Sequence, residues 1–286
     1  MSKSPMKNAI TIDVEDYFQV AALAKWAPTK KWDDFPLRVE NNTLRILDLF
    51  DQHNIKATFF VLGWIADRCP ALVKAIVARG HELGSHGYSH QLIYRQTPEV
   101  FREETLRSKK LLEDIGGEAV LGYRAASYSI TQQSLWALDI IAEAGFRYDS
   151  SIFPVKHDRY GIPGAIEIPH RLRTPANHQI VEFPITALKL PGYKLPVAGG
   201  GYFRLFPYWF SRWALKKVNR SQQQPFIFYL HPWEIDPEQP ALPATGLSKF
   251  RHYNNLEICE QRLKNLLHDF SFCTVKEILR EQSLLD

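Results

Sequence analysis

His86 and His90 stand four positions apart, with Gly87-Tyr88-Ser89 between them. On one side of a helical turn, two imidazoles at that spacing can reach a single metal ion, although surface histidines four apart also arise by chance. A divalent cation in a catalytic site needs a further ligand, often a carboxylate, and keeps open positions for water and substrate. The run Asp13-Val14-Glu15-Asp16 offers that carboxylate and a spare one for proton transfer; helix capping or a solvated loop is its plainer reading. Arg124 follows the apolar stretch Val120-Leu121-Gly122-Tyr123, and His231 follows Phe226-Ile227-Phe228-Tyr229-Leu230. Each of these ionisable groups therefore falls just past a short apolar run. Strand ends are where parallel α/β folds place reactive side chains, because the loops after the strands converge on one face.

Those runs belong to a β–α rhythm in the first half of the chain. Apolar segments at 8–12, 57–62, 81–84 and 119–124 read as strands, and apolar spacing predicts helices over 39–53, 70–79, 98–115 and 134–144. Gly80, Gly116-Gly117 and Gly145 supply stop signals. Strands alternating with helices predict a parallel sheet with crossover helices, in an α/β barrel or a layered sheet. The rhythm breaks over 157–224. There Pro163, Pro169, Pro175, Pro184, Pro191, Pro196 and Pro207 punctuate short extended pieces around Gly199-Gly200-Gly201, which reads as loops and hairpins laid on the main body. The pattern resumes with a strand at 225–230, a helix at 255–270, a strand at 271–274 and a helix at 275–282. A single domain spanning 1–286, closed by a helical segment at 255–286, is the simplest division.

Composition narrows the partners. The chain has 286 residues, 45% hydrophobic and 23% charged, an ordinary balance for a protein with a real core. A formal charge of +4, with basic residues scattered and runs no longer than pairs such as Lys30-Lys31 and Lys216-Lys217, gives no reason to expect nucleic acid. Cys69, Cys259 and Cys273 are odd in number and far apart, which suggests neither a disulfide framework nor a zinc ribbon. No window approaches ~18 uninterrupted apolar residues, so no membrane span is expected. Ala9-Ile10-Thr11-Ile12 stops at Asp13, too short for a signal-peptide core, and the expected location is the cytoplasm.

Five blocks occur in order: Thr11-Ile12-Asp13-Val14-Glu15-Asp16, Gly80-His81-Glu82-Leu83-Gly84-Ser85-His86-Gly87-Tyr88-Ser89-His90, Gly122-Tyr123-Arg124-Ala125-Ala126-Ser127-Tyr128, Tyr148-Asp149-Ser150-Ser151, and Leu230-His231-Pro232-Trp233-Glu234. Over roughly 8–235 they resemble the ordered motifs of the polysaccharide deacetylase family, the NodB-homology or carbohydrate esterase type. Gly200-Gly201-Tyr202-Phe203-Arg204 and the stretch from His231 to Pro237 further resemble a bacterial subgroup found beside exopolysaccharide and exosortase genes. The resemblance implies a distorted (β/α) barrel and a hydrolase that removes N-acetyl groups from an amino-sugar glycan or its precursor. It implies a divalent cation, zinc first with cobalt, nickel or iron as substitutes, held by His86, His90 and an aspartate of the first block. Asp13 would be the general base, and His231 the acid that protonates the departing amine. Arg124 would orient the base, Asp149 would orient active-site groups, and main-chain N–H near Ser127 or Tyr128 would stabilise the oxyanion. The expected partner is an N-acetylated oligo- or polysaccharide. Such chemistry needs an acid because an amide anion cannot leave, and a cationic histidine beside carboxylates is the natural one near neutral pH.

The sequence departs from the family pattern in three places. Asp13 and Asp16 are separated where the family has adjacent aspartates; Asp16 is the expected third ligand, with its shorter side chain, and Glu15 the alternative. Ala126 stands where proline is usual, and the fourth block lacks its usual tryptophan. The wall beside the acetyl methyl must then come from Leu230 or from aromatics of the insertion. Tyr193, Tyr202, Phe203, Tyr208 and Trp209 are candidate sugar platforms, or they seal the barrel, the commoner fate of aromatics. Two other functions fit the same motifs: an allantoinase-like hydrolase of a cyclic amide, and a catalytically silent glycan-binding protein. Against the silent protein stands the complete set Asp13, His86, His90, Arg124 and His231.

Overall fold

A computed structural model describes residues 6–157 and 159–286; the reading of the leading residues falls partly on 1–5, outside them. Strand β1 (Lys7–Val14) is apolar and β-branched at its centre and buried on both faces, as an interior parallel strand must be. Helix α1 (Val39–Gln52) crosses to β2 (Thr58–Val61), and the short α2 (Gly63–Arg68) and α3 (Pro70–Ala78) lead to β3 (Glu82–Ser85). Helix α4 (Pro98–Gly116) starts on a Thr97 side-chain cap and ends on left-handed Gly117, and β4 (Gly122–Tyr123), α5 (Trp136–Glu143) and β5 (Tyr148–Asp149) follow.

The segment 157–224 is only partly loop and hairpin. Strands β6 (His170–Arg173) and β7 (Gln179–Glu182) pair antiparallel, as do β8 (Ala187–Leu190) and β9 (Tyr193–Pro196), and β7 also joins the main sheet beside β5. Beyond Gly199 the chain is helical: α6 (Gly200–Leu205) and α7 (Tyr208–Ser221). The glycines that read as a break mark a helix start, and Pro207 is the N-cap residue of α7. Strand β10 (Ile227–Leu230) then returns to the sheet. It is followed by α8 (Gly246–Tyr253), α9 (Cys259–Asp269), β11 (Ser271–Cys273) and α10 (Val275–Glu281). The single helix expected at 255–270 is thus α9 alone, shortened because Asn255 takes a left-handed turn after α8.

Neighbours β10-β1-β2-β3-β4-β5-β7 run parallel, with β11 also on β1. Between β7 and β10 the wall is completed by single links: Ile227 N–H donates to Thr186 Oγ1 at 2.9 Å, and Tyr229 N–H donates to the Ala198 carbonyl at 3.0 Å. The result is a distorted (β/α) barrel. Gly199 is required at that seam, since it sits at φ 135° and a Cβ there would lie 2.0 Å from the Tyr229 carbonyl oxygen. Strand parity sorts the side chains. Ala9, Phe60, Tyr148, Val181, Ile227 and Tyr229 share the inner core, while Ile10, Ile12, Phe59, Phe228 and Leu230 pack outward under the helices.

Candidate active site

The inward positions of β1 continue from Ala9 through Thr11 and Asp13 to Glu15, just past the strand. Glu15, His86 and His90 are buried, and one ligand atom from each lies within 4.8 Å of the others. His86 leaves the end of β3, where its Nδ1–H donates to the Arg124 carbonyl at 2.8 Å, so its Nε2 is free for a ligand. Burial lowers the His86 pKa to about 4, which keeps the ring neutral. The stretch 86–90 is not the expected helical turn. Gly87 (φ 74°) and His90 (φ 52°) are both left-handed, and the Gly87 and Tyr88 carbonyls accept the Gly63 and Trp64 N–H groups at the head of α2. A strained histidine fixed by its surroundings is the kind of backbone stored at functional sites.

Asp16 does not join this group. Its carboxylate accepts the N–H of Tyr17 at 2.9 Å, of Arg38 at 2.7 Å and of Val39 at 2.9 Å, so it ties the loop after β1 to the start of α1. The capping reading holds for Asp16, and the third carboxylate is the alternative, Glu15. Glu15 Oε2 lies 2.7 Å from His90 Nε2 yet has no hydrogen-bond geometry with it, and His90 Nδ1 is a buried atom without a hydrogen-bond partner. Buried polar atoms in contact but not bonded to each other suit ligands that share a cation. Two imidazoles and one carboxylate are also the donor set of hydrolytic metal sites. The residues fit a divalent ion. Burial works to raise the Glu15 pKa, but nearby His90 and His231 hold it well below the carboxylate range.

Asp13 and His231 flank the group. Arg124 is fully buried and places Nη1 2.7 Å from Asp13 Oδ1 and 2.7 Å from Thr11 Oγ1, while its Nε and Nη2 donate to the carbonyl and hydroxyl of Ser150. Those bonds satisfy a cation whose burial would otherwise be costly. The Tyr128 hydroxyl donates to Asp13 Oδ2 at 3.4 Å. His231 Nε2 is 3.5 Å from Glu15 Oε1 and 3.9 Å from Asp13 Oδ2, and its Nδ1–H donates to Glu234 at 2.7 Å. Burial opposes the charge on His231, but Glu15, Glu234 and Asp13 together raise its pKa to about 9. Glu234 resists its own burial because Arg204 Nε (2.6 Å) and His231 bring its pKa down to about 2. Asp236 does not reach His231; it accepts from Arg38 and Asn42 of the α1 region.

Three expected roles change. Asp149 is buried below the site and receives the Ser151 hydroxyl at 2.6 Å, and Ser151 in turn accepts the Ala125 N–H at 2.7 Å; it braces the Arg124 loop and does not line the cleft. The Tyr128 N–H is spent on the Ala125 carbonyl, which leaves Ser127 as the oxyanion candidate of that turn; both residues line the cleft with positive φ. Leu230 faces the outer core, because it is one step out of phase with Tyr229 and His231. The cleft wall is Tyr128, Tyr229 and Trp233, whose indole N–H donates to Glu15 at 3.2 Å.

The cleft above has a volume of about 530 Å³ and is walled on one side by Tyr202, Leu205, Leu247 and Phe250. Of the aromatics considered as platforms, Tyr202 alone lines it. Phe203 is core, and Tyr208 bonds to Asp269. Sequence reasoning gives Tyr229 and Arg204 no role, although both stand in stretches it singles out; the period of two along β10 and the Gly200–Arg204 motif are the signals for them.

Residues 30–148 match the family model "Polysaccharide deacetylase", and residues 150–280 match "Domain of unknown function (DUF3473)". A peptidoglycan-N-acetylglucosamine deacetylase of Bacillus cereus is 30% identical over 148 residues, 48% of this chain and 52% of that protein, so the chain spans about half the length of that relative. In fold, the chain is similar to a "probable Polysaccharide deacetylase" of Pseudomonas aeruginosa PAO1, with 16% identity, TM-score 0.61, and 97% and 92% of the two chains covered. It is also similar in fold to Puue allantoinase, with 16% identity, TM-score 0.58, and 95% and 88% of the two chains covered. His86, His90 and Arg124 lie in the deacetylase segment, Asp13 and Glu15 precede it, and His231 lies in the second segment. Residues 30–148, which carry His86, His90 and Arg124, are thus similar to the polysaccharide deacetylase family.

Proposed function

We propose that the protein is a metal-dependent hydrolase that removes N-acetyl groups from an amino-sugar glycan or a glycan precursor, with exopolysaccharide synthesis as its setting. The observation that carries this reading is the buried Glu15–His86–His90 group, with Asp13–Arg124 and His231–Glu234 against it at the base of one cleft. When bound, a divalent cation, zinc first, supplies a Lewis acid and brings the pKa of water to about 7. Asp13, aligned by Arg124 and Tyr128, takes the proton of the attacking water. His231, cationic near neutral pH, donates from Nε2 to the amide nitrogen as the C–N bond breaks, giving acetate and a free amine. Ser127, which lines the cleft, offers its main-chain N–H to charge on the carbonyl oxygen in this reading. Tyr128, Tyr229 and Trp233 give the acetyl methyl an apolar wall.

Both matched segments contribute to this centre, and we propose that they act as one catalytic unit. The test is acetate release from a panel of N-acetylated oligosaccharides before chelation, after it, and after zinc or cobalt is restored. Loss and recovery of release is expected. Release that survives complete removal of metal, or allantoin turnover without acetate release from any glycan, would overturn the reading.

A further inference from the structure

Helix α7 carries a face that the catalytic cleft does not use. At 3.6 residues per turn, Trp209, Arg212, Trp213, Lys216, Lys217 and Arg220 fall within one arc of about 140°. Ser211, Ala214, Leu215 and Val218 are buried on the other side. Trp209 is 70% exposed and Trp213 47%. Large apolar side chains so open to water mark a surface with a partner. The helix has no acidic residue. Arg212 pairs with Asp269 at 2.8 Å, and that carboxylate, which also accepts the Tyr208 hydroxyl, borders the face. Lys217 lies 5.2 Å from the Trp213 ring centre, and neither it, Lys216 nor Arg220 has an ion-pair partner among the described residues.

A line of aromatic contacts links this face to the cleft. Tyr202 in the cleft wall lies 6.3 Å from Phe206, and Phe206 lies 4.9 Å from Phe210. Phe210 in turn touches Trp209 at 5.9 Å and Trp213 at 5.5 Å. At the cleft mouth Leu205, Leu247 and Phe250 are themselves 45%, 60% and 51% exposed.

Exposed indoles set among lysines and arginines match the interface of a bilayer, where the rings sit at headgroup depth and the cations meet anionic lipid. A second copy of the chain is a poor occupant, since a two-fold contact would set these cations against themselves. We propose that the α7 face docks the protein on an anionic lipid bilayer, with the mouth of the cleft held beside the membrane surface.

Flotation of the full chain with vesicles tests this. The protein should rise with vesicles of phosphatidylcholine mixed with phosphatidylglycerol, stay down with phosphatidylcholine alone, and be released by high salt. Trp209→Ser/Trp213→Ser and Lys216→Glu/Lys217→Glu should each weaken partitioning at least about tenfold. Both pairs should melt as wild type does, and the lysine pair should keep wild-type turnover of a soluble substrate. Absence of flotation with the anionic vesicles, equal flotation with neutral ones, or equal flotation of the folded variants would overturn the proposal. So would a concentration-dependent dimer abolished by the tryptophan pair, or flotation blocked by a soluble glycan.

Discussion

His231 has Glu234 on one ring nitrogen and Asp13 and Glu15 near the other, and this shapes its titration. Its pKa is raised above the ordinary histidine value to about 9, so the acid form persists through neutral pH and is lost as pH rises through about 9. The alkaline limb of kcat/KM should report that loss. Glu234→Gln removes one anion without touching the proposed cation ligands, and should move the limb to lower pH by roughly one unit or more. An unmoved limb means that Glu234 does not tune the acid. The same linkage bears on stability. The interactions of charged His231 contribute fully below about 6.5 and fade as pH rises through about 9. His231→Ala should lower turnover by roughly 10²–10⁴-fold while cation binding persists, because it removes proton transfer and no ligand. Metal titration beside steady-state kinetics separates the two effects.

Asp16 belongs to the scale of elements. Its carboxylate receives the Arg38 and Val39 N–H groups at the head of α1 and the Tyr17 N–H beside it. Asp16→Ala should cost about 1–2 kcal/mol of stability, as loss of a helix cap does, measured by thermal or denaturant unfolding. Arg204 is the larger case. From α6 it bonds Glu234 and the carbonyls of Arg251, His252 and Asn254, which anchors the end of α8 at the cleft wall. Arg204→Met leaves Glu234 buried beside His231 without its second partner, and should destabilise by about 3–5 kcal/mol. Proteolysis near 246–254 should quicken first.

The elements also show where the sequence was legible. The β–α rhythm up to β5 could be read because Gly80, Gly117 and Gly145 terminate helices there with left-handed backbone. Helix α7 is less legible, since it is flanked by prolines and the Gly199-Gly200-Gly201 run, and its buried face of Ser211, Ala214, Leu215 and Val218 is weakly apolar. The motifs mark Asp13, His86, His90, Arg124 and His231, and these residues gather at one site. Side-chain length favours Asp16 over Glu15 as the ligand, yet Asp16 is spent on backbone N–H groups. Strand parity, which carries the inward stripe from Thr11 through Asp13 to Glu15, was the better guide.

At the scale of the molecule, β1 lies between β2 on one side and β10 with β11 on the other, so the barrel closes across both matched segments. Residues 1–148 alone would leave β1 with an unpaired edge and the inner core without Ile227, Tyr229 and Cys273. That fragment should fail to give a cooperative melt, whereas the full chain should unfold in one step. The centre itself is tested most directly by titrating zinc into metal-free wild type, Glu15→Gln and Asp16→Asn. Coordination by Glu15, His86 and His90 requires one tight site in wild type, a loss of more than about tenfold in Glu15→Gln, and near-wild-type affinity in Asp16→Asn. Zinc held normally by Glu15→Gln and lost by Asp16→Asn would contradict it.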